Sequence, residues 1–258
     1  MRKLMIVKGV ILSSICLAGT INVSAQVVAS NAPNADAFVR AHDPTHSYGG
    51  AGALEASGSS STNTINGGAT GQMDSFLRFD VSGMVASFNL TFGAGSWAVA
   101  GAVLQLTEVA NPNNAVFGSG LGGFEVRWIA TNGWVEGTGT PASPGNTGIV
   151  FNDEANLLAA GQVSLGTYSN AFANGVRRLT LGLPVDFLNS IGNGGSVSFF
   201  ITATDGTTGF NFNSRSFGTV SARPSLELTA VAIPEPSTLC LLTLSIASLS
   251  VARKRRSH

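Results

Sequence analysis

The feature that most narrows what this chain can fold into is a period of two. Runs at residues 75–80, 102–109, 124–130, 178–183, 196–203 and 225–231 alternate apolar with polar side chains, and clusters of Gly, Asn, Ser and Thr separate them. In the first run Leu77 and Phe79 share one face while Arg78 and Asp80 share the other, as a strand with one face in a core requires. Leu104 with Leu106, Val126 with Trp128, Leu179 with Leu181, Val197 with Phe199 and Ile201, and Leu226 with Leu228 repeat the pattern and are expected core. No stretch sustains a helical period. Residues 185–190 alone predict a turn or two of helix, because Pro184 suits a helix start and Gly192 an end. The 32 glycines fit many tight turns. Residues 56–71 read as a polar loop and 88–100 as a Gly-containing insertion, either of which suits a longer hairpin arm. No repeat signals a solenoid or propeller. The expected fold is all-β, an antiparallel β-sandwich of jelly-roll type.

Both ends depart from this pattern. Residues 1–25 carry Arg2, Lys3 and Lys8, an apolar stretch at 10–18, and small residues Val23, Ser24 and Ala25 before Gln26, which predicts a flexible, removed export signal. Ile15 before Cys16 argues against a lipoprotein site. At the other end an apolar segment at 238–251 precedes Arg253, Lys254, Arg255 and Arg256. As a helix, those fourteen residues span about 21 Å against a hydrocarbon core of about 30 Å. That length makes a poor permanent anchor. It can still halt export with the basic cluster on the cytoplasmic side.

Between the ends lies one expected domain, residues 26–232, with 233–258 as its tail. Of the 14 basic residues three lie in the signal and four in the tail, leaving seven, all Arg, against 13 of the 14 acidic residues. The body is therefore net acidic by about six charges at neutral pH. A nucleic-acid-binding surface needs clustered positive charge, so none is expected. Both cysteines, Cys16 and Cys240, fall in the terminal segments. The body must hold together by burial alone.

The stretches "ADAFVR" (35–40), "DPTHSYGG" (43–50), "SFLRFDVSGM" (75–84), "AVLQLTEV" (102–109), "WVEGTGTP" (134–141) and "SRSFGTVSARPSLELT" (214–229) resemble DNRLRE-type domains. These are extracellular jelly-roll modules classed with carbohydrate-binding modules, and the likeness runs through nearly the whole body. Three departures are His46-Ser47 in place of the family's usual Asn before the Tyr, the absence of the Trp commonly found soon after the W-x-E stretch, and enlarged loops. The tail, "PEPSTLCLLTLSIASLSVARKRRSH", resembles the PEP-CTERM sorting signal: a box of Pro234, Glu235 and Pro236, an apolar segment, then a basic end. That resemblance implies recognition at the inner membrane by an exosortase-type processing enzyme, loss of the tail, and delivery to the cell surface or the exopolysaccharide matrix. A plain short anchor is the alternative.

Little in the body suggests catalysis. His42 and His46 have the spacing of two ligands on one helical face, but Pro44 breaks such a helix, and no G-x-S-x-G elbow accompanies them. A solvated polar loop is expected. Glu136, or Asp153 with Glu154, could serve as glycosidase acid and base only at a defined separation, and "FNDEANLL" reads as well as a turn or the first turn of a short helix. Loops around Asp36, Asp43, Asp153 and Asp205 could hold a structural Ca²⁺, although no calcium motif is present and no cofactor is expected. Aromatic rings stack on sugars while polar neighbours bind hydroxyls. The candidate glycan-contacting residues are accordingly Tyr48 and Trp134 with Arg127 and Glu136, unless the two rings fill the core. The expectation is an exported, non-enzymatic surface protein that associates with polysaccharide. The alternatives are a purely structural surface protein and a polysaccharide lyase or hydrolase.

Overall fold

The computed structural model describes residues 25–60, 64–65, 68–69, 71–109, 121–170 and 175–233. The export signal up to residue 24 and the tail from residue 234, with its expected apolar helix, lie outside them.

The described strands are β1 (Gln26–Asn31), β2 (Ala35–Arg40), β3 (Ala53–Ser57), β4 (Thr64–Ile65), β5 (Gly68–Ala69), β6 (Met73–Asp80), β7 (Trp97–Glu108), β8 (Gly122–Ile129), β9 (Gln162–Asn170), β10 (Gly175–Thr180), β11 (Ser196–Ala203), β12 (Gly209–Asn213) and β13 (Ser225–Ala232). The helices are α1 (Ser82–Phe92), α2 (Glu154–Ala159) and α3 (Val185–Gly192). Strands β4 and β5 pair as a two-residue hairpin within the predicted polar loop. The other eleven form one antiparallel sheet.

That sheet rolls into a sandwich. One side carries β1, β13, β7 and β10 as neighbours, and the other carries β2, β6, β11, β8 and β9. The β3–β12 pair joins the two, through Phe212 beside Glu108 of β7 and Ser57 beside Met73 of β6. Five of the six predicted strands form and the sixth, 178–183, is strand only to Thr180; predicted inward residues Leu77, Phe79, Leu104, Leu106, Val126, Val197, Phe199, Ile201, Leu226 and Leu228 are wholly buried, and Leu179 and Leu181 nearly so. Trp128 packs on the same core but stays partly exposed. Each fully buried large side chain contributes about 1.5–3 kcal/mol, and among the described residues no cysteine is available to supplement that.

The sequence reading fails at α1. Residues 88–100 were expected to form an insertion, yet the first part is the end of an eleven-residue helix and the rest opens β7. The helix lacks a side-chain cap and has only a weak amphipathic pattern, so periodicity does not announce it. Tertiary packing holds it instead, through buried Met84, Val85 and Phe88. Helix α3 forms where expected, following Pro184, and buries Phe187 and Ile191 against the same core.

A second core lies on the outer face of β2, β6 and β11. Ala35, Ala37, Val39, Phe76 and Phe200 point outward and are covered by Trp134, Ile149, Phe151, Leu157 and Leu158. The long connection between β8 and β9 thus lies across the sheet. It carries the site.

Candidate functional site

Four of the motif-bearing stretches meet at one corner of the sandwich. Ser47 exchanges backbone hydrogen bonds with Gly145, and the Gly50 N–H donates to the Gly139 carbonyl (2.8 Å). This contact is backbone against backbone. A Cβ added at Gly49 would overlap the Glu136 carbonyl, and one at Gly139 would overlap that of Ser47. Glycine is required here for close approach.

The packing places Glu136 under Arg215. The Arg215 guanidinium grips both carboxylate oxygens, with Nε 2.8 and 2.9 Å from Oε1 and Oε2 and Nη2 2.5 Å from Oε2. Such a fork is the strongest geometry open to an arginine and a carboxylate. Beneath it, the Arg215 backbone N–H donates to Asp36 Oδ2 (2.6 Å). Asp36 Oδ1 is buried with no hydrogen-bond partner among the described residues. Burial, together with the Glu136 charge, raises the Asp36 carboxyl to about 7 against the pull of the Arg215 N–H and guanidinium.

Tyr48 is wholly buried, stacked on Phe38 with centroids 4.9 Å apart. Its hydroxyl donates to Asp43 and accepts from Arg40 Nη1 (3.3 Å). Burial and the bond to Asp43 push its hydroxyl up to about 12. His46 Nδ1 lies 2.6 Å from the other Asp43 oxygen, and His42 is exposed. Burial opposes ionisation of Asp43, but the bonds from Tyr48 and His46 prevail and hold it below the ordinary carboxylate range.

Trp134 is 6% exposed. Its indole N–H donates to Ser198 Oγ (3.1 Å), the Arg78 guanidinium carbon lies 5.1 Å from its ring centroid, and Phe76 packs at a tilt. Arg78 also donates to the carbonyls of Asn132 and Trp134 (2.8 and 2.7 Å), pinning the chain over the sheet. Neither Tyr48 nor Trp134 therefore offers an open ring face to a pyranose. Of the two possibilities the sequence left open, both rings fill the interior: Tyr48 is taken up by the corner, and Trp134 contributes to a groove wall. Arg127 is engaged by Glu125 (2.6 Å) and by Gln162 (2.8 Å), away from the Glu136 ion pair.

Trp134 lines a groove of about 500 Å³, whose other walls include Gly133, Val135, Ile149, Asp153, Asn156 and Leu157. Apolar floor with a few convergent polar groups is the usual character of a small-molecule site. Asp153 Oδ2 accepts from the Val150 N–H (3.1 Å), fixing the turn into α2. Glu154 faces the other way, into the sheet. It hydrogen-bonds Asp74 of β6, which also accepts from Gln72 Nε2 (2.7 Å). Burial, then the Asp74 charge, raises Glu154 to about 8, and burial raises Asp74 as well. One proton is thus shared between the two carboxyls at neutral pH.

Asp36, Asp43, Asp153 and Asp205 do not converge. Asp205 is occupied by its own turn, accepting from Thr207, Thr208 and the Gly123 N–H. Among the described residues no three His, Cys, Asp or Glu side chains gather as a metal site. Compared with protein-family models and with curated proteins, the sequence matches none. The Pro-Glu-Pro box and the basic cluster lie outside the described residues, and no helix among those residues is long and apolar enough to cross a membrane.

Sequence reasoning missed Arg215 and Asn156, and it named Asp36 only as a possible calcium-loop residue rather than as the partner of the Arg215 backbone. Asp36 and Arg215 do sit inside the stretches 35–40 and 214–229, but only the fold shows that those stretches touch.

Proposed function

We propose that this is an exported, non-enzymatic β-sandwich, held at the cell surface or in the extracellular matrix through its tail, that binds polysaccharide in the Trp134 groove. The groove carries the reading: apolar walls with Trp134, Ile149 and Leu157 beside the carboxylate of Asp153 and the amide of Asn156 suit a sugar's apolar face and hydroxyls. The acidic body and Asp153 favour a neutral polymer over an anionic one. A catalytic role for Glu136 is disfavoured by its ion pair with Arg215, which holds both oxygens. The tail's resemblance to PEP-CTERM signals supports processing by an exosortase-type membrane enzyme.

Gly133 gives a clean test of the groove, because a Cβ there meets nothing within 4 Å. The Gly133→Trp variant is expected to keep the wild-type melting temperature and to lose at least tenfold in affinity for a retarding neutral polysaccharide in affinity electrophoresis. Wild-type protein that is retarded by no neutral or acidic polysaccharide would reject the binding reading. For the tail, intact mass from the native host is expected to show loss of about the last twenty residues. Replacing Pro234, Glu235 and Pro236 with Ala is expected to abolish that cut. An uncut, membrane-held wild-type chain would make the tail a plain anchor.

A further inference from the structure

The chain leaves the sandwich beside three segments that carry no charge of their own, with Asp80 before α1 and Asp186 on α3 at their margins. Ile233 donates its N–H to the Ser96 carbonyl (2.9 Å), and Ala232 pairs with Trp97. Not one Asp, Glu, Lys or Arg occurs in residues 26–35, 81–107 or 228–233. Those segments supply β1, α1, the first half of β7 and the end of β13.

Register makes them contiguous. Val28 lies beside Thr229, which lies beside Gly101, and Gln26 lies beside Val231, which lies beside Ala98. Helix α1 packs against β1, β7 and β13, and the Trp97 indole N–H donates to Asn89 Oδ1 (2.8 Å). Leu90, the next residue on α1, is 89% exposed, while Ile233 is 47% and Val28 54% exposed. Asp36, Arg40, Asp43, Glu136 and Arg215 gather instead at the corner described above.

Only residues 234–237 separate Ile233 from the apolar segment that begins at Thr238. A fully extended chain cannot carry Ile233 more than about 18 Å from that segment. If the segment enters a bilayer, this end of the body must stand at the bilayer surface. An uncharged surface with exposed Leu90 and Ile233 and a half-buried indole loses no ionic hydration there, and Trp favours the interfacial zone. We infer that the uncharged surface formed by α1, the start of β7 and the end of β13 rests on the phospholipid surface while the tail is inserted. The inference rests on the tail's insertion in a membrane, which is tested beside it.

The experiment uses the full chain with Cys16→Ser and Cys240→Ser, reconstituted in vesicles of phosphatidylethanolamine and phosphatidylglycerol. An environment-sensitive fluorophore is placed at Leu90→Cys or, at the charged corner, at exposed Ser216→Cys. Headgroup-region doxyl lipid is expected to quench the label at position 90 at least threefold and to leave position 216 unchanged. An alkali-resistant, membrane-inserted chain with no quenching at 90 overturns the docking surface and leaves the tail reading intact. A chain that alkali extracts overturns both. Shielding of position 90 in detergent as well, with the mass of a dimer, assigns the surface to a second copy and overturns the lipid assignment.

Discussion

Unfolding of the body is expected to take more urea at pH 5 than at pH 8.5, and replacing Glu154 with Gln should remove a large part of that difference. The fold keeps four carboxyls in places that disfavour their charge. Burial raises Asp36 to about 7 and Glu154 to about 8, and also raises Asp74 and the fully buried Glu55, which lies across the ladder from Asn211. In the unfolded chain these groups lose their protons near 4. Between about 4 and 8 the native state therefore binds more protons than the unfolded state, so stability falls as pH rises. The contribution is whole below the ordinary carboxylate range and is gone once pH passes the raised values. Glu154 is charged in isolation only at the cost of facing Asp74 across a shared hydrogen bond. With one pKa unit worth about 1.4 kcal/mol, and after discounting for solvent screening at its partly exposed position, its share is on the order of 2 kcal/mol.

On the acid side the sign reverses. The bonds to Asp43, Asp80, Glu125 and Asp205 hold those carboxyls below their ordinary range. Their stabilisation is present above about 4 and is lost as pH falls further. The optimum is expected near pH 4–5. The amide introduced by Glu154→Gln can still donate to an ionised Asp74 but has no proton to lose, so that variant should keep only the slope due to Asp36, Glu55 and the buried Asp74. Equal urea midpoints at pH 5 and 8.5 in the wild type, or an undiminished slope in the variant, would count against the shared proton.

How much of this was legible beforehand depended on range. Strand periodicity is local and two-fold, so Leu77, Phe199 and Leu226 reveal their faces within six or eight residues. The second core was not visible in the same way. Phe76 and Phe200 lie on the face that alternation assigns to solvent, and only the connection through Trp134 and Leu157 makes it an interior. Helix α1 failed for a related reason: its stability comes from where Met84, Val85 and Phe88 dock and not from a cap or a clean apolar stripe. At the site, the sequence left Tyr48 and Trp134 open between a sugar platform and the core. Aromatic rings near turns suit a sugar platform, but Tyr48 and Trp134 are drawn inward by Arg40 and Arg78, whose guanidinium groups sit over the rings. The fold that brings those groups together leaves no local trace in the sequence.

The corner that aligns these parts is expected to be the least tolerant place in the body. Gly49 and Gly139 are the test. Neither needs a left-handed backbone; each needs the space of a missing Cβ, filled by the carbonyl of Glu136 or of Ser47. Backbone cannot rotate away as a flexible side chain can, so Gly49→Ala or Gly139→Ala must open the contact between residues 47–50 and 136–145. Overpacking of this kind costs about 3 kcal/mol, which for a body of this size lowers the melting temperature by about 6–12 °C. Opening the corner also lifts Glu136 from Arg215, and Arg215 from Asp36, so a buried carboxyl loses its donor. Gly52→Ala is the control, since its Cβ would meet nothing within 4 Å, and it should melt within about 2 °C of the wild type. Because residues 134–136 run directly from the groove into this corner, the two damaging variants should also lose polysaccharide retardation at temperatures where they remain folded. If Gly49→Ala melts like Gly52→Ala, the corner is not the rigid element that positions the groove. The glycine-rich stretches shared by residues 43–50 and 134–141 would then need another physical explanation.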